Sequence, residues 1–245
     1  MPGYLTKQQS IDVDGVQPLQ IRSLLDRQQY ADPLGLAARQ GISSAAWPLF
    51  GLLWPSGRHL AARLGRRPVL AGERILELGC GLGLASLVGH RRGADMTASD
   101  CHPLASAFLA ENLRLNGLPA LRYRHGRWGL PLLAPLADAV DPLVQGRFDL
   151  IIGSDLLYER DEDGQLARYI TRHAAARAEV WIIDPDRGNR AAFNCQMALR
   201  GFERSEARLV DLPAPAGEPP YKGRVLVFQR TGPDRSSRPQ PASAA

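Results

Sequence analysis

The chain has 245 residues, 44% hydrophobic and 22% charged, with a formal net charge of +5 at pH 7, enough apolar content for one domain with a substantial core. No stretch approaches the roughly 20 uncharged apolar residues of a membrane span, and the first ten residues lack the pattern of a secretory signal, so a cytoplasmic protein with no membrane partner is expected. The arginines are dispersed, with no Lys/Arg run among aromatics, and Cys80, Cys101 and Cys195 lack metal or disulfide spacing; nucleic acid is an unlikely partner and no metal is expected.

Residues 1–41 carry no readable motif and are taken as an N-terminal extension to a domain over 42–230. "WPLFGLLWPSG" (47–57) is apolar and punctuated by proline; a lid over a ligand and a core-packed helix entry fit it equally. Strand-length apolar runs follow: "RILELG" (74–79), "ADMTAS" (94–99), "ALRYRH" (120–125), "FDLIIG" (148–153), "EVWIID" (179–184) and "RVLVFQ" (224–229). Helices are predicted over Leu82–Arg91, Pro103–Leu115, Gly164–Ala176 and Asn189–Arg200. "DLPAPAGEPP" (211–220) reads as a connection. Thr231–Ala245 holds no large apolar residue and is expected to be a disordered tail.

This alternation predicts an α/β fold, a Rossmann-like three-layer sandwich with a mostly parallel sheet and helices on both faces. Ligands of such sheets lie beyond the C-terminal strand ends, where strand order reverses. The loop "LELGCGLGLA" (76–85) falls there. Gly79, Gly81 and Gly83 permit a sharp turn with a ligand against the backbone. A dinucleotide fingerprint needs a further glycine where Leu84 stands, and Glu77 would repel a pyrophosphate but attract a cation. Asp100, 21 residues after Gly79, is placed to accept hydrogen bonds from a ribose diol. An adenosine-bearing cation without phosphate describes S-adenosylmethionine.

After the fourth of these strands, "DLLYERDED" (155–163) holds five acids against one arginine. Its alternatives are a solvated loop and an acidic pocket mouth drawing a cationic substrate. Tyr158 reaches the same pocket as Asp155 if a helical turn begins there; otherwise it is a core tyrosine. "DPDRGNR" (184–190) offers Arg187 and Arg190 to an acidic substrate group, though a helix-capping loop is favoured. His102 reads as a surface residue at a helix start.

Four pieces, "LWPSGRHLA" (53–61), "ILELGCGLGLASL" (75–87), "ASDCHPLASAFLAENLRLNG" (98–117) and "FDLIIGSDLLYERD" (148–161), make residues 47–229 resemble the class I, seven-strand S-adenosylmethionine-dependent methyltransferases. More narrowly they resemble the protein lysine methyltransferases of methyltransferase family 16. The resemblance implies seven strands, and S-adenosylmethionine as cofactor. It implies a cofactor loop of Glu77, Gly79, Cys80, Gly81 and Gly83, with Asp100 and Cys101 at the ribose. Trp54 would close over the cofactor, Ser154 would lend backbone near its methionyl group, and Asp155 and Tyr158 would be catalytic. Trp128 would pack beside adenine, but "GRW" (126–128) lacks the acid that relatives often place before this tryptophan. The implied acceptor is a lysine on a partner protein. A small amine acceptor, or a scaffold that binds cofactor without turnover, is the alternative.

Overall fold

In the computed structural model of the chain, residues 3–128, 141–186, 188–212 and 220–232 are described. Asp14-Gly15, with Gly15 at φ 76°, closes an antiparallel hairpin of β1 (Thr6–Val13) and β2 (Val16–Leu24). No element was expected in this region. The hairpin's Ile11, Val13, Leu19, Ile21 and Leu24 are buried in the main core.

A short helix α1 (Leu36–Arg39) and a 3₁₀ turn (Trp47–Gly51) lead into α2 (Pro55–Arg66). Then come β3 (Arg74–Leu78), α3 (Leu84–Arg91), β4 (Asp95–Asp100), α4 (Ala105–Leu115), β5 (Arg122–His125) and β6 (Phe148–Ser154). The chain continues through α5 (Gln165–His173), β7 (Ala174–Asp184), α6 (Arg190–Ala198), β8 (Glu203–Leu212) and β9 (Tyr221–Arg230). β3 to β9 form the expected seven-stranded sheet in the order β5-β4-β3-β6-β7-β9-β8, parallel except where β9 runs antiparallel to both its neighbours.

Period-two alternation divides the core between the two faces of the sheet. Ile75, Leu150, Ile152, Trp181 and Ile183 face the side of α2, α3, α4 and the hairpin. Leu76, Leu78, Ile151, Val180 and Ile182 face α5 and α6. Asn112 and Asn116 of α4 clamp the hairpin: Asn112 Oδ1 accepts the Arg22 N–H at 2.8 Å, and Asn116 accepts from and donates to the Gln20 backbone.

Two predicted boundaries move. The helix expected to reach Ala176 ends at His173, because Ala174 is fully buried and pairs with Phe148 at the start of β7. The presumed connection at 211–220 begins inside a strand: Asp211 and Leu212 end β8, Tyr221 opens β9, and 213–219 lie outside the described residues. Of the presumed tail, 233–245 lie outside them as well. No helix among the described residues is long and apolar enough to cross a membrane.

Candidate active site

The chain builds β3, β4 and β5 outward in one direction and returns to place β6 beside β3. The loops leaving β3 and β6 therefore diverge, and a cleft of about 1330 Å³ opens at these C-terminal strand ends. All three predicted loop glycines have positive φ, from 51° to 75°. At Gly81 a Cβ would stand 2.7 Å from the Phe50 carbonyl oxygen, so only glycine fits under the 3₁₀ turn. Gly79 and Gly81 line the cleft; Gly83 instead starts α3 and is pressed against Leu109.

Glu77 points to the α3 side of the sheet, where its Oε2 accepts the N–H (2.8 Å) and hydroxyl (2.5 Å) of Ser86. The N-cap of α3, Gly83, offers no side chain, and this carboxyl satisfies the buried Ser86 donor of the first turn instead. Burial outweighs the two hydrogen bonds and, with a smaller push from Asp100, raises the Glu77 pKa to about 7. Glu77 thus pins the loop to its helix from beneath while lining the cleft.

Asp100 ties two loops together: Oδ2 accepts the Gly81 N–H at 2.8 Å and Oδ1 the His102 N–H at 2.9 Å. Each oxygen keeps a second lone pair, and the residue lines the cleft. Cys80 and Cys101 flank it there. Burial pushes the Cys80 thiol far up and that of Cys101 to about 12, so both are neutral and neither is a nucleophile.

His102 is not a surface residue. It is 3% exposed, stacked 3.6 Å from the Phe50 ring at 10°, and its Nδ1 accepts the Leu104 N–H. Burial pulls its pKa down to about 3, which keeps the ring neutral. The stack also resolves "WPLFGLLWPSG". Trp47 is core, Phe50 is buried yet borders the cleft, and Leu52, Leu53 and Trp54 line it, with the Trp54 indole N–H held by the Leu49 carbonyl. Trp128 lies at the inner wall, its ring 3.8 Å from where a Gly79 Cβ would stand and 5.9 Å from the Tyr169 ring.

On the β6 side, Ser154, Asp155 and Tyr158 share the cleft wall. Asp155 holds φ 54°, in the left-handed region that few residues other than glycine, asparagine and aspartate adopt, and donates its N–H to the Ile183 carbonyl at 3.0 Å. Residues 155–158 form a loop rather than a helical turn. Tyr158 is 48% exposed, which removes the core alternative. Its partial burial, and the nearby Cys101, Glu159 and Asp100, push its pKa to about 12, so its hydroxyl is neutral and stands toward the β4 loop.

The acidic loop divides in use. Asp161 caps α5, accepting the N–H groups of Gln165 and Leu166 at 2.8 and 2.9 Å. Glu159, Glu162 and Asp163 are exposed at the outer wall. Arg190 stands at the start of α6, partly buried and paired with Asp186 and Glu206 rather than exposed; Arg187 lies outside the described residues. Four cleft residues, Arg27, Gln40, Gly41 and Ile42, come from upstream and escaped the sequence reading.

The chain was compared with known proteins. It is 29% identical over 155 residues to the electron transfer flavoprotein beta subunit lysine methyltransferase of Rattus norvegicus, covering 62% of this chain and 56% of that protein. Over 92 residues it is 33% identical to the protein N-lysine methyltransferase METTL21A of Danio rerio, covering 36% and 38%. The chain spans about half the length of the curated relatives it matches first. Among solved structures, the magnesium protoporphyrin IX methyltransferase of Synechocystis shares the fold at TM-score 0.50 and 16% identity, covering 72% of this chain and 78% of that one. The sequence model of one family, lysine methyltransferase, matches residues 51–191. That match takes in the glycine loop, Asp100 and the Asp155–Tyr158 wall and exceeds half of the chain, which therefore belongs to the lysine methyltransferase family.

Proposed function

We propose that this protein transfers a methyl group from S-adenosylmethionine to a lysine side chain of a partner protein. One observation carries the reading: a single cleft joins a glycine turn closed to any Cβ, with Asp100 beside it, to an outer wall bearing Glu159, Glu162 and Asp163. The inner end suits an adenosine-bearing cation and the outer end a cationic substrate. The names of the relatives support the same activity.

In this reading Gly79, Cys80 and Gly81 hold the methionyl part through their backbone, with Glu77 fixing the loop. Asp100 takes the ribose diol with its remaining lone pairs, and Cys101 stands beside it. Trp128 packs on the adenine, while Trp54 and the Ser154 backbone close the methionyl side. When bound, S-adenosylmethionine supplies a methyl group on a sulfonium sulfur, open to in-line displacement by an amine. The chain's own groups mainly align that amine. A free lysine has a pKa of about 10.4 and arrives charged, drawn by the outer acids. Asp155 accepts an N–H from the amine and orients its lone pair; the neutral Tyr158 offers its ring face and hydroxyl. Before attack the ammonium gives up one proton to water or to Glu159, which frees that lone pair.

We assign the protein to the cytoplasm, and three free thiols, Cys80, Cys101 and Cys195, support a reducing compartment. The acidic mouth disfavours nucleic acid as acceptor. Incubating the purified chain with methyl-labelled S-adenosylmethionine and cell extract tests the activity. Label in a discrete protein band is expected; label in small amines alone overturns the protein acceptor, and no transfer at all leaves a cofactor-binding scaffold.

A further inference from the structure

We propose that residues 25–42, upstream of the family-matched region, read the protein acceptor, with Arg27 pairing to an acidic side chain near the target lysine. This rests on the lysine-methyltransferase reading and specifies its substrate. The segment is held as a wall of the cleft. Arg127 donates to the Gln40 carbonyl at 2.6 Å, Asp32 caps α1 through the N–H groups of Ala37 and Ala38, and the Tyr30 ring meets Trp47 edge-on at 5.7 Å. Arg27 and Gln40 line the cleft from this wall.

Arg27 differs from the chain's structural arginines. Arg190 and Arg224 are tied to Asp186 and Glu206, and Arg67 to Glu73. Arg27 is exposed at the mouth, its guanidinium 4.9 Å from the Trp54 ring centroid, and among the described residues it makes no hydrogen bond or ion pair. The ring orients the cation without neutralising it. Gln40, on the same wall, is anchored through its backbone carbonyl to Arg127, which fixes the wall from which Arg27 projects. The same cleft is lined by the exposed Glu159, Glu162 and Asp163, with the exposed Arg160 3.7 Å from Glu162. The neighbouring acids are engaged locally, Asp26 by Gln28 and Gln29 and Asp32 by Ala37 and Ala38, so Arg27 answers a carboxylate on a segment whose lysine turns toward the outer acids. Alanine or a second lysine in place of that carboxylate leaves Arg27 unpaired or repelled.

The test uses the full chain, S-adenosylmethionine and a library of peptides with one central lysine. Each flanking position is varied between Glu, Ala and Arg, and kcat/KM is read from S-adenosylhomocysteine release. The native chain should prefer Glu over Arg by about fivefold or more at one or two flanking positions, the scale of a partly exposed ion pair exchanged for repulsion. Arg27→Glu should invert that ratio, and Arg27→Met, which keeps an apolar stem over Trp54, should bring it near one. Because each ratio compares peptides on the same variant, a general loss of activity cancels. An identical Glu preference in all three proteins, or none in the native chain, overturns the role of Arg27 alone. Native chain that binds S-adenosylmethionine by calorimetry yet methylates no lysine peptide overturns the underlying reading as well.

Discussion

Glu77→Gln should flatten the pH dependence of stability between about pH 4.5 and pH 7. Glu77 is pushed from 4.5 to about 7 in the fold, and each unit is worth about 1.4 kcal/mol, so the shift amounts to about 3 kcal/mol. Burial favours the neutral acid, and the folded chain retains a proton that the unfolded chain releases in this interval. Stability from this group is therefore fully present below about pH 4.5 and lost as pH rises to about 7, at up to about 1.4 kcal/mol per pH unit. Glutamine does not titrate. It also perturbs the bonds to Ser86, but that offset is the same at every pH and drops out of the comparison. Urea unfolding of both proteins at constant ionic strength, in steps from about pH 4.5 to 7.5, should show the variant gaining about 3 kcal/mol on the native chain across the range. Profiles that run parallel would refute the claim that desolvation dominates over the Ser86 hydrogen bonds.

Further substitutions separate the roles of the cleft residues from those of the scaffold. Asp100→Ala should weaken S-adenosylmethionine binding at least about tenfold, because charge-assisted bonds to the ribose and to the Gly81 N–H are lost together. Asp155→Ala should leave binding within about twofold while removing turnover; calorimetry that finds equal binding losses contradicts this division. Gly81→Ala combines φ +51° with a Cβ 2.7 Å from the Phe50 oxygen and should cost about 2–4 kcal/mol. Gly72→Ala, at φ +75° in open space, should cost only about 1 kcal/mol, and thermal melts of the pair isolate the clash. Asn112→Ala strips partners from the Arg22 N–H and the Leu82 carbonyl and should cost about 2–4 kcal/mol, with the largest rise in amide exchange in the hairpin; uniform exchange would show that the clamp is not local.

The parallel strands and the glycine turn were readable because their causes are local. "RILEL" and "FDLIIG" set apolar residues on both faces, as buried parallel strands do, and the loop glycines answer to their own φ. The hairpin was harder. Its first strand, TKQQSIDV, is mostly polar, and in the second, VQPLQIRSL, Pro18 argues against a strand, although Asp14-Gly15 between Val13 and Val16 was a usable turn signal. β8 was masked by the proline-rich run it enters.

What the sequence determined by itself is the glycine-loop half of the cleft, since a βαβ unit places its glycine loop and the acid after its second strand within one short stretch of chain. Only the tertiary structure decided the rest, through contacts far apart in sequence. Phe50 turns His102 from a surface residue into a buried neutral ring, Ser86 turns Glu77 into the pin of α3, and Arg127 draws Gln40 and its segment into the wall. These depend on which side chains meet after the sheet has formed, and no periodicity along the chain encodes that meeting.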